Sequence, residues 1–211
     1  MNIAILIFDD LTALDAVGPY EVLSRLPGVN LQFVAQEAGP KRTDTGALGL
    51  IADHAIADVE DPDILLVPGG HGNRPLLGDD EVLDWIRGVH ASSQWTTSVC
   101  TGALVLGAAG LLDGLRATTH WAYLDRLEGY GAKPTQERVV LDGKVMTAAG
   151  VSSGIDMALA LVAEVAGPDV AKAIQLGIEY DPDPPFDAGS PATAPPAIVD
   201  FIRNLEGQSA L

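Results

Sequence analysis

The chain has 211 residues, 47% hydrophobic and 19% charged, which suits one globular domain. Aromatics make up only 5%, so its core must be built from Ala, Val, Leu and Ile. Acids outnumber bases 29 to 12, and the resulting charge of −17 repels nucleic-acid phosphates and anionic membranes.

Nucleic-acid binding needs a local basic cluster, and the longest basic run is Lys41-Arg42, so no nucleic-acid partner is expected. No membrane span is expected either. The longest apolar stretch, residues 103–112, is broken by Gly107 and Gly110 and falls short of the about 18 residues a span needs. A lone cysteine, Cys100, makes no internal disulfide. The opening MNIAILIFDD lacks a basic region and meets acids after a short apolar run. It reads as a first strand, not a secretion signal, and a cytoplasmic location is expected.

In chain order, residues 3–8 form a continuous apolar run, as in a strand buried on both faces. A helix over 16–26 follows, with Pro19 in its first turn. A strand over 31–35 comes next. Another over 64–67 ends sharply at Pro68-Gly69-Gly70. Residues 81–91 read as a helix whose apolar stripe is Val82, Leu83, Ile86 and Val89. Residues 95–99 form a buried strand that runs straight into Cys100 and a helix over 101–109. A short strand over 116–119 precedes a helix starting near Trp121. Strands over 138–141 and 144–147 flank Asp142-Gly143, a hairpin-turn signal. Helices follow over 155–165, apolar nearly all round, and 170–180. Residues 181–197 hold 6 of the 14 prolines and read as an irregular loop pinned to the body by Phe186. A last helix covers 197–205. Strands alternating with helices predict one α/β domain over 1–211, a mostly parallel sheet covered on both faces, with ligands beyond the carboxyl ends of the strands.

Three strands end where chemistry is available. Cys100 stands at a strand-to-helix turn with small neighbours Gly102 and Ala103, as a nucleophile elbow requires. The helix N-terminus there favours thiolate over thiol. The other reading is a cysteine packed in the core as a small hydrophobe. Asp15 either exchanges protons over the sheet edge or caps the helix starting near Ala16. Thr101 either offers its hydroxyl and N–H to a substrate or only helps start its helix. Gly69 and Gly70 form either an oxyanion site of bare N–H groups or a tight turn. His120 is the best histidine to act as a base near Cys100, or is structural beside Trp121. No pair among His54, His71, His90 and His120 has metal-ligand spacing, so no metal is expected.

The runs Thr97-Ser98-Val99-Cys100-Thr101-Gly102-Ala103-Leu104, Val67-Pro68-Gly69-Gly70-His71-Gly72 and Leu14-Asp15-Ala16-Val17-Gly18-Pro19 resemble the DJ-1/PfpI superfamily from Met1 to about Leu205. The late segment from Glu179 to Pro191 is similar to the branch whose members hydrate isocyanides. The resemblance implies a flavodoxin-like three-layer α/β sandwich, usually homodimeric, that adds water to an isocyanide through a thioimidate on Cys100 to give an N-formamide. It implies Asp15 as acid/base, Thr101 as a supporting hydroxyl and no cofactor. Many superfamily members carry a histidine after the cysteine and a glutamate in place of Asp15, which counts against their protease and glyoxalase activities here. The resemblance also places a backbone carbonyl of Val151 against the cysteine. Ala149 stands where that branch tends to have glycine, which implies a stiffer helix start.

The same fold also serves as the sensor half of AraC-type regulators. A chain of 211 residues leaves no room for their DNA-binding domain, so the alternative is a free-standing small-molecule or redox sensor. Another cysteine-dependent hydrolase or a glyoxalase is a further reading.

Overall fold

A computed structural model describes residues 1–208. In chain order the elements are β1 (Asn2–Leu6), α1 (Ala13–Leu23), β2 (Asn30–Ala35), β3 (Gly39–Arg42), β4 (Gly49–Ala52), β5 (His54–Ala55), β6 (Ile64–Val67), α2 (Asp80–Ser92), β7 (Trp95–Val99), α3 (Gly102–Ala108) and β8 (Arg116–Ala117). A 3₁₀ helix (Trp121–Tyr130), β9 (Lys133–Pro134), β10 (Val139–Asp142), β11 (Val145–Ala148), α4 (Ser153–Ala166), α5 (Pro168–Gly177) and α6 (Pro196–Gln208) follow, and short 3₁₀ turns occupy Ile56–Asp58, His71–Asn73 and Pro75–Gly78.

Seven strands form the main sheet in the order β10-β11-β7-β6-β1-β2-β5, parallel except for the β10–β11 hairpin. Its centre, β2-β1-β6-β7-β11, has the flavodoxin-like order, as expected. The chain leaves β1 to one side for β2 and later returns to its other side at β6. Loops therefore part above the carboxyl ends of β1 and β6, and a crevice opens there. All of β6 and β11 is buried, as is β1 after Asn2, so both faces of the sheet are covered. The covering helices pack in two groups. In one, α1, α4 and α5 are in contact, and in the other α2, α3 and the 3₁₀ helix. The α2 stripe of Val82, Leu83, Ile86 and Val89 is buried, as its spacing predicts.

Several elements differ from expectation for identifiable reasons. Helix α1 starts three residues early. Pro19 is its seventh residue, inside the helix, where its missing N–H leaves the Asp15 carbonyl without its i+4 donor. The hairpin turn is Gly143-Lys144, because Asp142 still pairs with Val145. Gly143 takes a φ of +60° at the first turn position, where glycine adopts it without strain. The β3–β4 hairpin and β5 went unread because Gly, Pro, Lys and Arg at 39–42 carry no alternation of apolar residues. β8 pairs with β9 in a separate ribbon. Helix α5 stops at Gly177, short of Tyr180, and Ile155 and Leu159 leave one side of α4 only half-buried. Phe186 is 77% exposed and pins nothing.

Candidate active site

Three crossing points of the sheet edge converge at its carboxyl end: α1 after β1, the Pro68-Gly69-Gly70 turn after β6, and Cys100 after β7. The β6–β7 register pairs Val67 with Ser98, so the two strands end side by side. Asp15, Gly69 and Cys100 are thereby brought together from residues 54 and 31 positions apart in sequence.

Cys100 has a φ of +55°, one of three such non-glycine residues among those described. An L-residue there costs on the order of 1–3 kcal/mol, and the surrounding structure holds it in place. Its N–H donates to the carbonyl of Ala149 at 2.8 Å. Its carbonyl accepts from the Thr119 hydroxyl at 2.7 Å, and Asn73 Nδ2 donates to the Thr101 carbonyl at 2.9 Å. Gly102 lets the elbow sit directly on β6, since a Cβ there would lie 2.1 Å from the Val67 carbonyl oxygen. Thr119 and Asn73 had not been read from sequence as site residues, because nothing local marks a hydroxyl or an amide that bonds a distant main chain.

Asp15 is fully buried. It does not cap its helix. It lies in the first turn, beyond Thr12 at the N-cap position, and its carboxyl turns toward Gly69. The Gly69 N–H donates to Asp15 Oδ2 at 2.9 Å, while the Gly69 carbonyl accepts from the Thr12 N–H at 3.0 Å. One peptide thus ties β6 to the start of α1. A Cβ on Gly69 would fall 2.5 Å from the Thr101 nitrogen and 2.9 Å from Asp15 Oδ2, so only glycine fits. The Gly70 N–H donates to Thr101 Oγ1 at 3.1 Å. Both glycine N–H groups are therefore engaged with the acid and the hydroxyl, and neither faces an open oxyanion position.

The electrostatics differ from the thiolate expected of a helix N-terminus. Burial, followed by the charge of Asp15, pushes the Cys100 thiol well above its ordinary value. The N–H groups of Thr101 and Val151 point at the sulfur and pull the other way without prevailing. Val151 thus meets the sulfur through its backbone N–H. Burial also raises Asp15 from 3.8 to about 7, against the opposing hydrogen bond from Gly69. Asp15 and the thiol interact, yet Asp15 Oδ1 is buried without an aligned hydrogen bond.

The sulfur opens on a cavity of about 240 Å³ whose walls include Thr101, Asn73, His120, Tyr123, Val151 and Glu206. His120 sits there with its pKa lowered by burial, so its ring is neutral at pH 7. Its Nδ1 accepts the Ala122 N–H at 3.4 Å, which leaves the proton on Nε2. The Tyr123 hydroxyl donates to Glu206 of α6 at 2.7 Å, and burial raises it to about 12. Tyr123 and Glu206 also escaped the sequence reading, since they are 83 residues apart and neither lies in a motif. Among the described residues no group of three or more His, Cys, Asp or Glu is placed to hold a metal ion, and no helix is long and apolar enough to cross a membrane.

Residues 1–164 match the DJ-1/PfpI family. Over 209 residues the chain is 49% identical to isonitrile hydratase of Pseudomonas putida, covering 99% of this chain and 91% of that protein. It is 33% identical over 161 residues to the HTH-type transcriptional regulator CdhR of Pseudomonas aeruginosa, covering 74% of this chain but only 47% of the regulator. The crystal structure of a ThiJ/PfpI family protein from Pseudomonas syringae superposes with a TM-score of 0.95 at 40% identity, over 98% of this chain and 86% of that one.

Proposed function

The chain belongs to the DJ-1/PfpI family, and from that premise we propose that it is an isonitrile (isocyanide) hydratase, a lyase converting R–N≡C and water to the formamide R–NH–CHO. The observation that carries this reading is the 49% identity to isonitrile hydratase over nearly the whole of both chains. The buried Cys100–Asp15 pair supports it, because it supplies what the reaction needs without a metal or organic cofactor.

The terminal carbon of an isocyanide is soft and electrophilic, and thiolate sulfur is the matching nucleophile. Ionised Asp15 takes the thiol proton through Oδ1 as sulfur attacks that carbon. The Thr101 and Val151 N–H groups hold the sulfur in line. Asp15 returns the same proton to the carbon, giving the thioimidate R–N=CH–S–Cys. Water then adds across the C=N bond, hydroxyl to carbon and hydrogen to nitrogen. Collapse expels the sulfur, the hydroxyl proton returns to the Cys100–Asp15 pair, and the formamide leaves. An acid with a pKa near 7 is well matched to giving and taking a proton at neutral pH. Thr101 Oγ1, fixed by Gly70, is positioned to orient the incoming water. Gly69 and Gly70 act by holding Asp15 and Thr101.

The working form is a homodimer. Exposed Leu14 and half-buried Ile155 both lie against Gly18, and Leu159 follows one turn along α4, which makes an apolar face shared by α1 and α4. Light scattering is expected to give the mass of two chains; the mass of one chain would remove the dimer. The reaction is tested by formamide release from p-nitrophenyl isocyanide, with Cys100→Ala alongside. Turnover lost in the variant is expected. No turnover by wild type with a reduced thiol refutes the reading, and the similarity to CdhR then favours a ligand sensor whose binding survives Cys100→Ser.

A further inference from the structure

A second cavity, of about 650 Å³, lies beside the one that holds Cys100. The two share His120 and Val151 in their walls and no other residue. Pockets that take a drug-sized ligand run from roughly 300 to 1,000 Å³, so the Cys100 cavity alone suits only a small molecule, whereas its neighbour suits a large one. Trp121, Leu124, Val151 and Pro191 give the larger cavity apolar walls. Arg138 lines it with its charge engaged by Asp156 at 2.6 Å, and Glu137 adds an acid that disfavours an anionic guest.

The partition between the cavities is a side chain, the His120 ring, together with Val151. His120 accepts one long hydrogen bond, 3.4 Å from the Ala122 N–H, its neutral ring lying tilted against Trp121 and Tyr123 at centroid distances of 5.6 and 6.0 Å. The ring packs directly on Gly150, where a Cβ would lie 2.9 Å from His120 Cδ2, so replacing His120 by a smaller residue opens space between the cavities. The C–N–R axis of an isocyanide is linear. A substituent must therefore project straight away from the carbon bound at sulfur, toward whichever wall lets it through.

We propose that the larger cavity seats the N-substituent of neutral aryl or polycyclic isocyanides, and that His120, with Val151, is the specificity-determining gate between it and Cys100. This rests on the hydratase reading. Its test compares kcat/KM for tert-butyl isocyanide and 2-naphthyl isocyanide in wild type, Leu124→Trp and His120→Ala. Leu124→Trp fills the larger cavity and is expected to lower the naphthyl-to-butyl ratio about tenfold or more, and His120→Ala, by opening the gate, to raise it by a similar factor. The two substitutions are made separately, so failure of one variant to fold leaves the other decisive. An unchanged ratio in a folded Leu124→Trp protein overturns the gate while leaving the hydratase intact. Absence of formamide from both substrates with wild type overturns the hydratase reading itself, and the gate with it.

Discussion

Replacing Asp15 by Asn separates the acid's chemistry from its cost to the fold. Burial raises Asp15 from 3.8 to about 7. Between these values the folded protein keeps a proton that the unfolded chain has released. The favourable contribution is therefore complete below pH 3.8, declines as pH rises toward 7 and is absent above it. At about 1.36 kcal/mol per pH unit, the interval corresponds to an upper bound of roughly 4 kcal/mol. Asn carries no charge at any pH and keeps an oxygen for the Gly69 N–H. Asp15→Asn is thus expected to gain stability relative to wild type progressively from pH 4 to pH 8, by roughly 2–4 kcal/mol in total, while hydration falls by at least about a hundredfold. Urea unfolding of both proteins at pH 4.5, 6 and 8 gives the difference, in which titrating groups remote from Asp15 cancel. A difference that does not change with pH would show that Asp15 ionises normally, and would refute its assignment as a base poised near neutrality.

Wild-type kcat/KM is expected to rise with pH through about 7, as Asp15 becomes able to take the thiol proton, and the pH profile of initial rates checks this. Gly69→Ala places a Cβ 2.5 Å from the Thr101 nitrogen and 2.9 Å from Asp15 Oδ2. Displacing both groups together should lower kcat by about a hundredfold in a protein that still folds by circular dichroism. Cys100→Gly should be more stable than Cys100→Ala by about 1 kcal/mol in denaturant, because only glycine takes a φ of +55° without strain, and both should be inactive. Thr119→Val removes the 2.7 Å hydrogen bond to the Cys100 carbonyl and should cost about 1–3 kcal/mol of stability, read by the same unfolding assay.

The sequence by itself determined the strands that are buried on both faces. Ile64–Val67 and Trp95–Val99 have the bounds expected of them, because a short run of apolar and β-branched residues stopped by Pro-Gly-Gly or by Cys-Thr-Gly has few other conformations open to it. The α2 stripe and the elbow at Cys100 were legible for the same local reasons: helical spacing in one case and small residues at a crowded turn in the other. The N-terminus of α1 was not, since the Thr12 side chain makes no cap and the helix is fixed there by Gly69, which comes from another strand. Only the tertiary structure decided the state of the thiol. A helix N-terminus lowers a cysteine pKa and burial raises it, and which prevails depends on how completely water is excluded and on the Asp15 carboxyl arriving from 85 residues away. The same holds for Gly69 and Gly70, whose N–H groups look free in sequence and are spent on Asp15 and Thr101 in the fold. Local pattern fixes which residues stand at the ends of strands. Hydrogen bonds and desolvation are properties of what stands opposite them, and that is set by the order of strands in the sheet.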